Sequence, residues 1–165
     1  MSKTKLKKII GNPPKDSVVL PASDAPNYYW HLEYLEDARF AWEVYIAVNQ
    51  VEIIPSLFES KGATLFVGVE QGVFVINTNT GEIISQVTNT SYVQSIEPIS
   101  SNNYVLVSSE DELIGFTSSG NLIWRATFPD VICDIKEKED GQIEIEDVSG
   151  EFYRLNVVTG KSVIE

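Results

Sequence analysis

Residues 64–88, TLFVGVEQGVFVINTNTGEIISQVT, decide the fold of this chain. They contain two apolar runs, at residues 65–69 and 73–76, separated by a short Glu-Gln-Gly turn. A Thr-Gly turn at residues 80–81 follows, and a further run begins behind it. Short runs rich in Val, Ile and Phe between such turns are typical of β-strands, and strands that are apolar throughout are usually covered on both faces. The stretch therefore predicts strands that lie between other layers of a β-sheet protein.

The same pattern recurs along the chain about every 40 residues. Equivalent turn glycines stand at Gly81, Gly120 and Gly160, spaced by 39 and 40 residues, and each follows one apolar run and precedes another. A four-stranded unit of about 40 residues is the size of a β-propeller blade, which buries its faces against neighbouring blades. The pattern therefore predicts three repeats, at approximately residues 51–90, 91–130 and 131–165.

The strand, Thr-Gly turn, strand pattern resembles the quinoprotein-type (pyrroloquinoline-quinone-like, PQQ-like) propeller repeat over roughly residues 40–165. Trp124 stands at the family's tryptophan position, whereas Ser85 and Ile164 occupy that position in the other units. The resemblance implies an all-β, partial β-propeller of four-stranded antiparallel blades. The family's cofactor-binding enzymes line a closed channel built from more blades than this chain offers. The resemblance therefore does not extend to the quinone, and we expect no cofactor.

About three blades are too few to close a ring, because propellers close with about four to eight. Trp42 and the apolar residues after it predict a lone fourth strand, left from a preceding blade that is otherwise absent. In the last repeat, Ile143-Glu144-Ile145-Glu146 alternates strictly, which gives that blade one solvated face. Repeat arrays cap themselves with such polar faces, so the sequence favours an open, capped stack over a ring made by two chains. A homodimer stays the alternative.

Residues 1–27 are predicted to be a flexible basic arm in front of a propeller domain at residues 28–165. Five lysines and no acidic residue lie in the first fifteen positions, and four prolines of the arm remove backbone donors. Only residues 17–20 are apolar enough to add an edge strand. The aromatic residues that follow either cover the first blade or bind a partner: Tyr28, Tyr29 and Trp30.

The net charge of the chain is −12, and the five lysines of the first fifteen residues leave −17 for residues 16–165. A field of this sign repels nucleic acid and anionic membranes and attracts basic proteins. Cys133 is the single cysteine, so no disulfide can form within the chain, and its apolar neighbours predict an inert core residue. The sequence has no apolar run of about 18 residues and no signal-peptide core. We therefore expect a cytoplasmic location.

Carboxylates concentrate in the turns that join the second and third strands of the blades. Equivalent turns of successive blades emerge on one face, so these side chains predict an acidic rim that binds a basic protein surface. The predicted rim consists of Glu70, Glu110, Asp111 and Asp147, joined by Asp130. The sequence contains no loop of regularly spaced oxygen ligands typical of Ca²⁺ sites, and we expect no metal.

Few residues of the sequence could support catalysis. His31 is the single histidine, and its aromatic surroundings are typical of a packing residue. The sequence contains no catalytic triad, paired-histidine metal motif or phosphate-binding glycine loop. It therefore predicts a non-catalytic protein-interaction module. Two alternatives are an immunity or antitoxin-type protein that neutralises a basic toxin, and a hydrolase or lyase that uses the rim carboxylates.

Overall fold

The computed structural model describes residues 3–21, 26–50, 52–99, 104–138 and 141–162, which form fifteen β-strands in four sheets. The first sheet has the strand order β1-β3-β4-β2, and β2 runs parallel to β4 while the other pairs are antiparallel. Its strands are β1 (Lys3–Ile9), β2 (Val19–Pro21), β3 (Tyr28–Glu36) and β4 (Arg39–Val48).

The other three sheets are antiparallel meanders, and each contains one of the predicted repeats. The second sheet contains β5 (Ser56–Ser60), β6 (Thr64–Val69), β7 (Gly72–Asn77) and β8 (Ile83–Thr88). The third contains β9 (Ser95–Ile99), β10 (Tyr104–Ser108), β11 (Glu112–Thr117) and β12 (Leu122–Thr127). The fourth contains three described strands, β13 (Ile132–Glu137), β14 (Gln142–Asp147) and β15 (Phe152–Asn156). The prediction of an all-β chain is confirmed, with a fourth sheet at its N-terminal side.

Three hydrophobic clusters hold the stack together, and each is shared by two consecutive sheets. The middle cluster contains Phe66 and Phe116, whose rings meet edge to face with 5.5 Å between centroids. All six residues of β6 are buried, as their apolar pattern predicts for a strand between two layers. Burying one such side chain contributes about 1.5–3 kcal/mol, so these interfaces are the main source of stability.

Two tryptophans join neighbouring sheets in the same way. The indole N–H of Trp42 donates to the carbonyl oxygen of Thr78 at 2.7 Å, and that of Trp124 donates to Val157 at 2.6 Å. Each ring packs on the turn glycine of the next sheet. The contact is so close that a Cβ on Gly81 would lie 2.7 Å from the Trp42 ring. Trp42 is therefore the equivalent of Trp124. Its strand, β4, pairs with β3 and β2 in a complete sheet, so the prediction of a lone strand from an absent blade is wrong.

The structure corrects the prediction of a flexible arm over residues 1–27. Lys3–Ile9 forms β1, which pairs along its whole length with β3, and Leu20 of β2 is fully buried. Alternation explains the difference, because Leu6 packs against the first hydrophobic cluster while the neighbouring lysines stay exposed. Pro21 ends the short edge strand β2, a position that proline tolerates.

The two end sheets have polar outer faces. In β14, Ile143 and Ile145 are buried while Glu144 lies on the outer face, where Lys138 and Arg154 approach it at 2.8 and 3.3 Å. At the other end, Glu33 of β3 faces outward beside Lys5 at 3.9 Å. The outer faces of both end sheets thus have the polar character that the sequence predicts for a capped stack.

Candidate functional site

The turns β6–β7, β10–β11 and β14–β15 lie on one side of the stack together with the connections between sheets. Backbone hydrogen bonds join them, since Val93 N–H donates to Glu70 and Ile132 N–H donates to Glu110, each at 2.6 Å. We call this side the linker face; it comprises residues 49–50, 52–55, 70–71, 89–94, 109–111, 128–131 and 147–152. All five residues of the predicted acidic rim lie on it.

Glu70 is not part of an exposed rim, because its side chain is buried. Its carboxylate accepts hydrogen bonds from the backbone N–H groups of Asn49 and Gln50 at 2.5 and 3.2 Å. Glu70 also has a positive φ of 47°, which turns its side chain back towards the end of β4. The residue thus ties the second sheet to the first, and the prediction of an exposed Glu70 is wrong.

Asp147 is likewise buried within its own turn. One oxygen accepts hydrogen bonds from the N–H and hydroxyl of Ser149 and from Glu151 N–H, and the other accepts from the Tyr153 hydroxyl. These bonds, led by the Ser149 hydroxyl at 2.6 Å, hold the pKa of Asp147 below its usual value. Burial and the adjacent Glu151 and Asp147 raise the pKa of Tyr153 to about 12. Asp147 therefore organises the β14–β15 turn, and the prediction of an exposed Asp147 is wrong.

A third buried carboxylate, Glu112, was missed by the sequence analysis. It forms an ion pair with Arg125 of the adjacent strand at 2.6 Å and accepts a hydrogen bond from Thr90 N–H at 3.1 Å. The sequence signal for this ion pair was the presence of opposite charges, Glu112 and Arg125, on strands predicted to be neighbours. Glu112 joins the third sheet to the connection that precedes it.

Three carboxylates of the predicted rim reach solvent. Glu110 is exposed, and Asp111 and Asp130 are half-buried. Asp111 is fixed in place, because the hydroxyls of Thr90 and Ser91 donate to its Oδ1 at 2.9 and 3.0 Å. The structure therefore brings Glu110 and Asp111 to the connection between the second and third sheets.

The predicted aromatic patch is only partly exposed. Its three residues lie at the start of β3, where Tyr28 is exposed and Tyr29 and Trp30 are half-buried. The Trp30 ring packs against the first hydrophobic cluster, and its N–H donates to Ile53 at 3.0 Å. Lys8 lies over the Tyr28 ring at 5.1 Å. Trp30 thus stabilises the first interface between sheets.

His31 packs as predicted, whereas Cys133 does not. The His31 ring stacks on Tyr45 with 4.7 Å between centroids and forms a hydrogen bond with Glu43 at 2.8 Å. Cys133 is exposed, because it is the extra residue of a β-bulge between β13 and β14. Desolvation, followed by the charges of Glu146 and of two nearby aspartates, raises the pKa of the Cys133 thiol. A thiol held protonated in this way is a poor nucleophile.

Within the described ranges, no group of three or more His, Cys, Asp or Glu side chains is arranged to hold a metal ion. The same residues include no helix of sufficient length and apolar character to cross a membrane.

No protein-family model and no curated protein sequence matches this chain. Among solved structures, BamB from Moraxella catarrhalis is similar at a TM-score of 0.55 and 15% identity, over 97% of this chain and 51% of BamB. The designed protein Ika4 is similar at 0.53 and 14% identity, over 72% of this chain and 76% of Ika4.

The designed protein Ika8 is similar at a TM-score of 0.56 and 13% identity, over 82% of this chain and 42% of Ika8. The chain thus spans about half the length of BamB and less than half of Ika8. At these identities the likeness concerns the fold alone, and the chain has the fold of a partial β-propeller.

Proposed function

We propose that this protein is a non-catalytic protein-interaction module that binds a basic partner protein through the exposed carboxylates of the linker face. The observation that carries the proposal is the charge of this face. Glu110, Asp111 and Asp130 reach solvent there, and the sequence places no Lys or Arg in its turns and connections. The turns at the opposite ends of the strands carry both signs of charge, with Lys61 and Lys161 as well as Asp37 and Glu82.

A surface of one sign steers an oppositely charged partner during encounter and selects against like-charged ones. Most of this effect comes from exposed charges, which salt screens over a Debye length of about 8 Å at physiological ionic strength. We therefore expect association with the partner to slow as the salt concentration rises.

The buried carboxylates favour a binding role over a catalytic one. Glu70, Glu112 and Asp147 are each occupied by backbone, hydroxyl or guanidinium donors of this chain. Catalytic acids and bases usually face an enclosed cleft that receives the substrate. These three carboxylates instead hold neighbouring turns together, which fixes the shape of the linker face.

The proposal can be tested with two variants that remove the same amount of charge. The first carries E110Q, D111N and D130N, and the matched control carries E36Q, E82Q and E97Q, which are exposed acidic residues elsewhere. Partners captured by the wild-type protein are identified by mass spectrometry and then compared across both variants. We expect the first variant to lose the partner and the control to retain it. Equal retention by both variants, or equal loss from both, would contradict the proposal.

A further inference from the structure

Exposed apolar side chains accompany the carboxylates on the linker face. Tyr92 is 42% exposed, Val131 is 37% exposed and Val148 is 59% exposed. Ile54, in the connection that leaves the first sheet, is 67% exposed. Single apolar residues on a surface are ordinary, whereas a contiguous set is typical of a contact surface.

Hydrogen bonds on the linker face join the segments that carry these residues in two pairs. Gln50 donates from Nε2 to the Tyr92 hydroxyl at 3.2 Å, which connects the first inter-sheet connection with the second. Val148 N–H donates to the carbonyl oxygen of Val131 at 2.9 Å, which connects the third with the β14–β15 turn. Each of the three connections, and the β14–β15 turn, therefore presents an exposed apolar side chain on this face.

The exposed position recurs at equivalent points of two connections between sheets. Val93 and Ile132, which follow Tyr92 and Val131, donate equivalent backbone hydrogen bonds to the turn of the preceding sheet. These bonds fix the connections, and in both of them the preceding side chain is exposed. Tyr92 and Val131 thus occupy equivalent sites in successive connections.

Each of these two apolar side chains has a carboxylate beside it. Asp111 is anchored to Ser91, the neighbour of Tyr92, and Asp130 directly precedes Val131. Because the acceptors of Asp111 are held by hydroxyl donors, little side-chain entropy is lost when a partner binds there.

We infer that the linker face binds a segment of its partner in which apolar residues are interspersed with Lys or Arg. This inference rests on the proposed function and specifies the chemistry of the partner. A uniformly basic surface would leave Tyr92, Val131 and Val148 against polar groups, whereas interspersed apolar residues bury them. The carboxylates between the apolar positions then bind the cationic residues, and they repel anionic lipid.

A synthetic peptide in which Leu and Lys alternate is the probe for this inference, with a Ser/Lys peptide of the same charge as its control. Binding to the full chain is measured by titration at several salt concentrations and mapped by backbone amide NMR shifts. We expect the Leu/Lys peptide to shift the signals of Tyr92, Val131 and Val148. We expect the Ser/Lys peptide to bind about tenfold more weakly, because apolar contacts at an interface centre are each worth about 1 kcal/mol or more.

The double variant Y92S/V148S removes apolar contacts without touching a buried side chain. It should weaken Leu/Lys binding about tenfold while leaving the salt dependence unchanged. The matched control I83S/V158S removes apolar groups that are 40% and 46% exposed outside the linker face, and it should bind as the wild type does.

Equal affinity for the Leu/Lys and Ser/Lys peptides at the linker face would overturn the inference and leave the proposed acidic binding face standing. Failure of both peptides to shift any signal of the linker face would overturn the inference and the proposed function together.

Discussion

The indole N–H of Trp124 donates to the carbonyl oxygen of Val157 at 2.6 Å, across the interface between the third and fourth sheets. Trp42 makes the equivalent bond to Thr78 between the first and second sheets. At the second interface, Ser85 takes the tryptophan position, and the interface is filled by phenylalanine and valine side chains. Two of the three interfaces thus combine apolar burial with a directed hydrogen bond.

Replacing Trp124 by Phe should destabilise the protein by about 1–3 kcal/mol, because the buried carbonyl of Val157 loses its donor. Replacing it by Ala should cost about 3–5 kcal/mol, because a cavity also forms. Denaturant unfolding followed by circular dichroism measures both values. The exposed Y92F variant serves as the control and should unfold like the wild type. A Phe variant as stable as the wild type would contradict the role of the hydrogen bond.

Gly81 and Gly160 should tolerate alanine less well than Gly150 does. All three have positive φ values, of 75°, 63° and 83°, so each substitution pays a similar backbone penalty of about 1–2 kcal/mol. A Cβ on Gly81 or Gly160 would also lie within 2.7 Å of a tryptophan ring, whereas one on Gly150 meets open space. In thermal unfolding, G150A should therefore have a higher Tm than G81A and G160A. An equal loss in all three would show that the contact with the ring is unimportant.

The stability of the protein should depend on Asp147 in acid. Its pKa in the folded chain lies below the usual value of 3.8, so its contribution is present above that value and is lost as the pH falls through the folded pKa. The unfolding free energy of D147N should therefore fall less steeply than that of the wild type between about pH 4 and pH 2.

The Ser149 hydroxyl is the main cause of this pKa shift, so S149A should raise the pKa of Asp147 in an NMR titration. An unchanged Asp147 titration in S149A would contradict the assignment. Parallel pH profiles for D147N and the wild type would contradict the linkage between Asp147 and stability.

Asn89 should be replaceable by Leu with a gain in stability. Its side chain is 4% exposed, and neither of its polar atoms has a hydrogen-bond partner among the described residues. The residue at the same point after β12 is Phe128, which packs against Tyr153. Removing an unsatisfied amide should add about 1 kcal/mol, or roughly 2–4 °C in Tm. A lower Tm for N89L, with N89A as the size control, would show that the amide is needed.

The repeated sheets were predictable because strand and turn signals are local. Gly81, Gly120 and Gly160 mark turns within the sheets, and the apolar runs that precede the first two are buried as expected. The first sheet was harder to predict, because β1 is rich in lysine and pairs with a strand that begins at Tyr28. Its single core contact, Leu6, is a weak signal in the sequence.

The sequence predicted which face the rim carboxylates lie on, but it predicted the exposure of only some of them. Turn equivalence predicted four carboxylates on one face, and a neighbouring loop added Asp130. Glu70 and Asp147 nevertheless turn inward to meet backbone donors that no sequence pattern reveals. The exposure of Cys133 depends on a β-bulge. A bulge changes the face of the sheet on which a side chain lies, and the apolar pattern of the strand does not reveal it. Pairing register and local donors are tertiary properties, so these side chains could not be assigned from the sequence.

The polar outer faces of the end sheets affect how cooperatively the molecule unfolds. An inner sheet shares apolar clusters with two neighbours, whereas the first and fourth sheets each share one. In a linear array governed by nearest-neighbour coupling, an end unit is released by breaking a single interface. The end sheets, whose outer faces are polar, should therefore be the least protected units. We expect opening to progress from the two ends towards Phe66 and Phe116 at the centre.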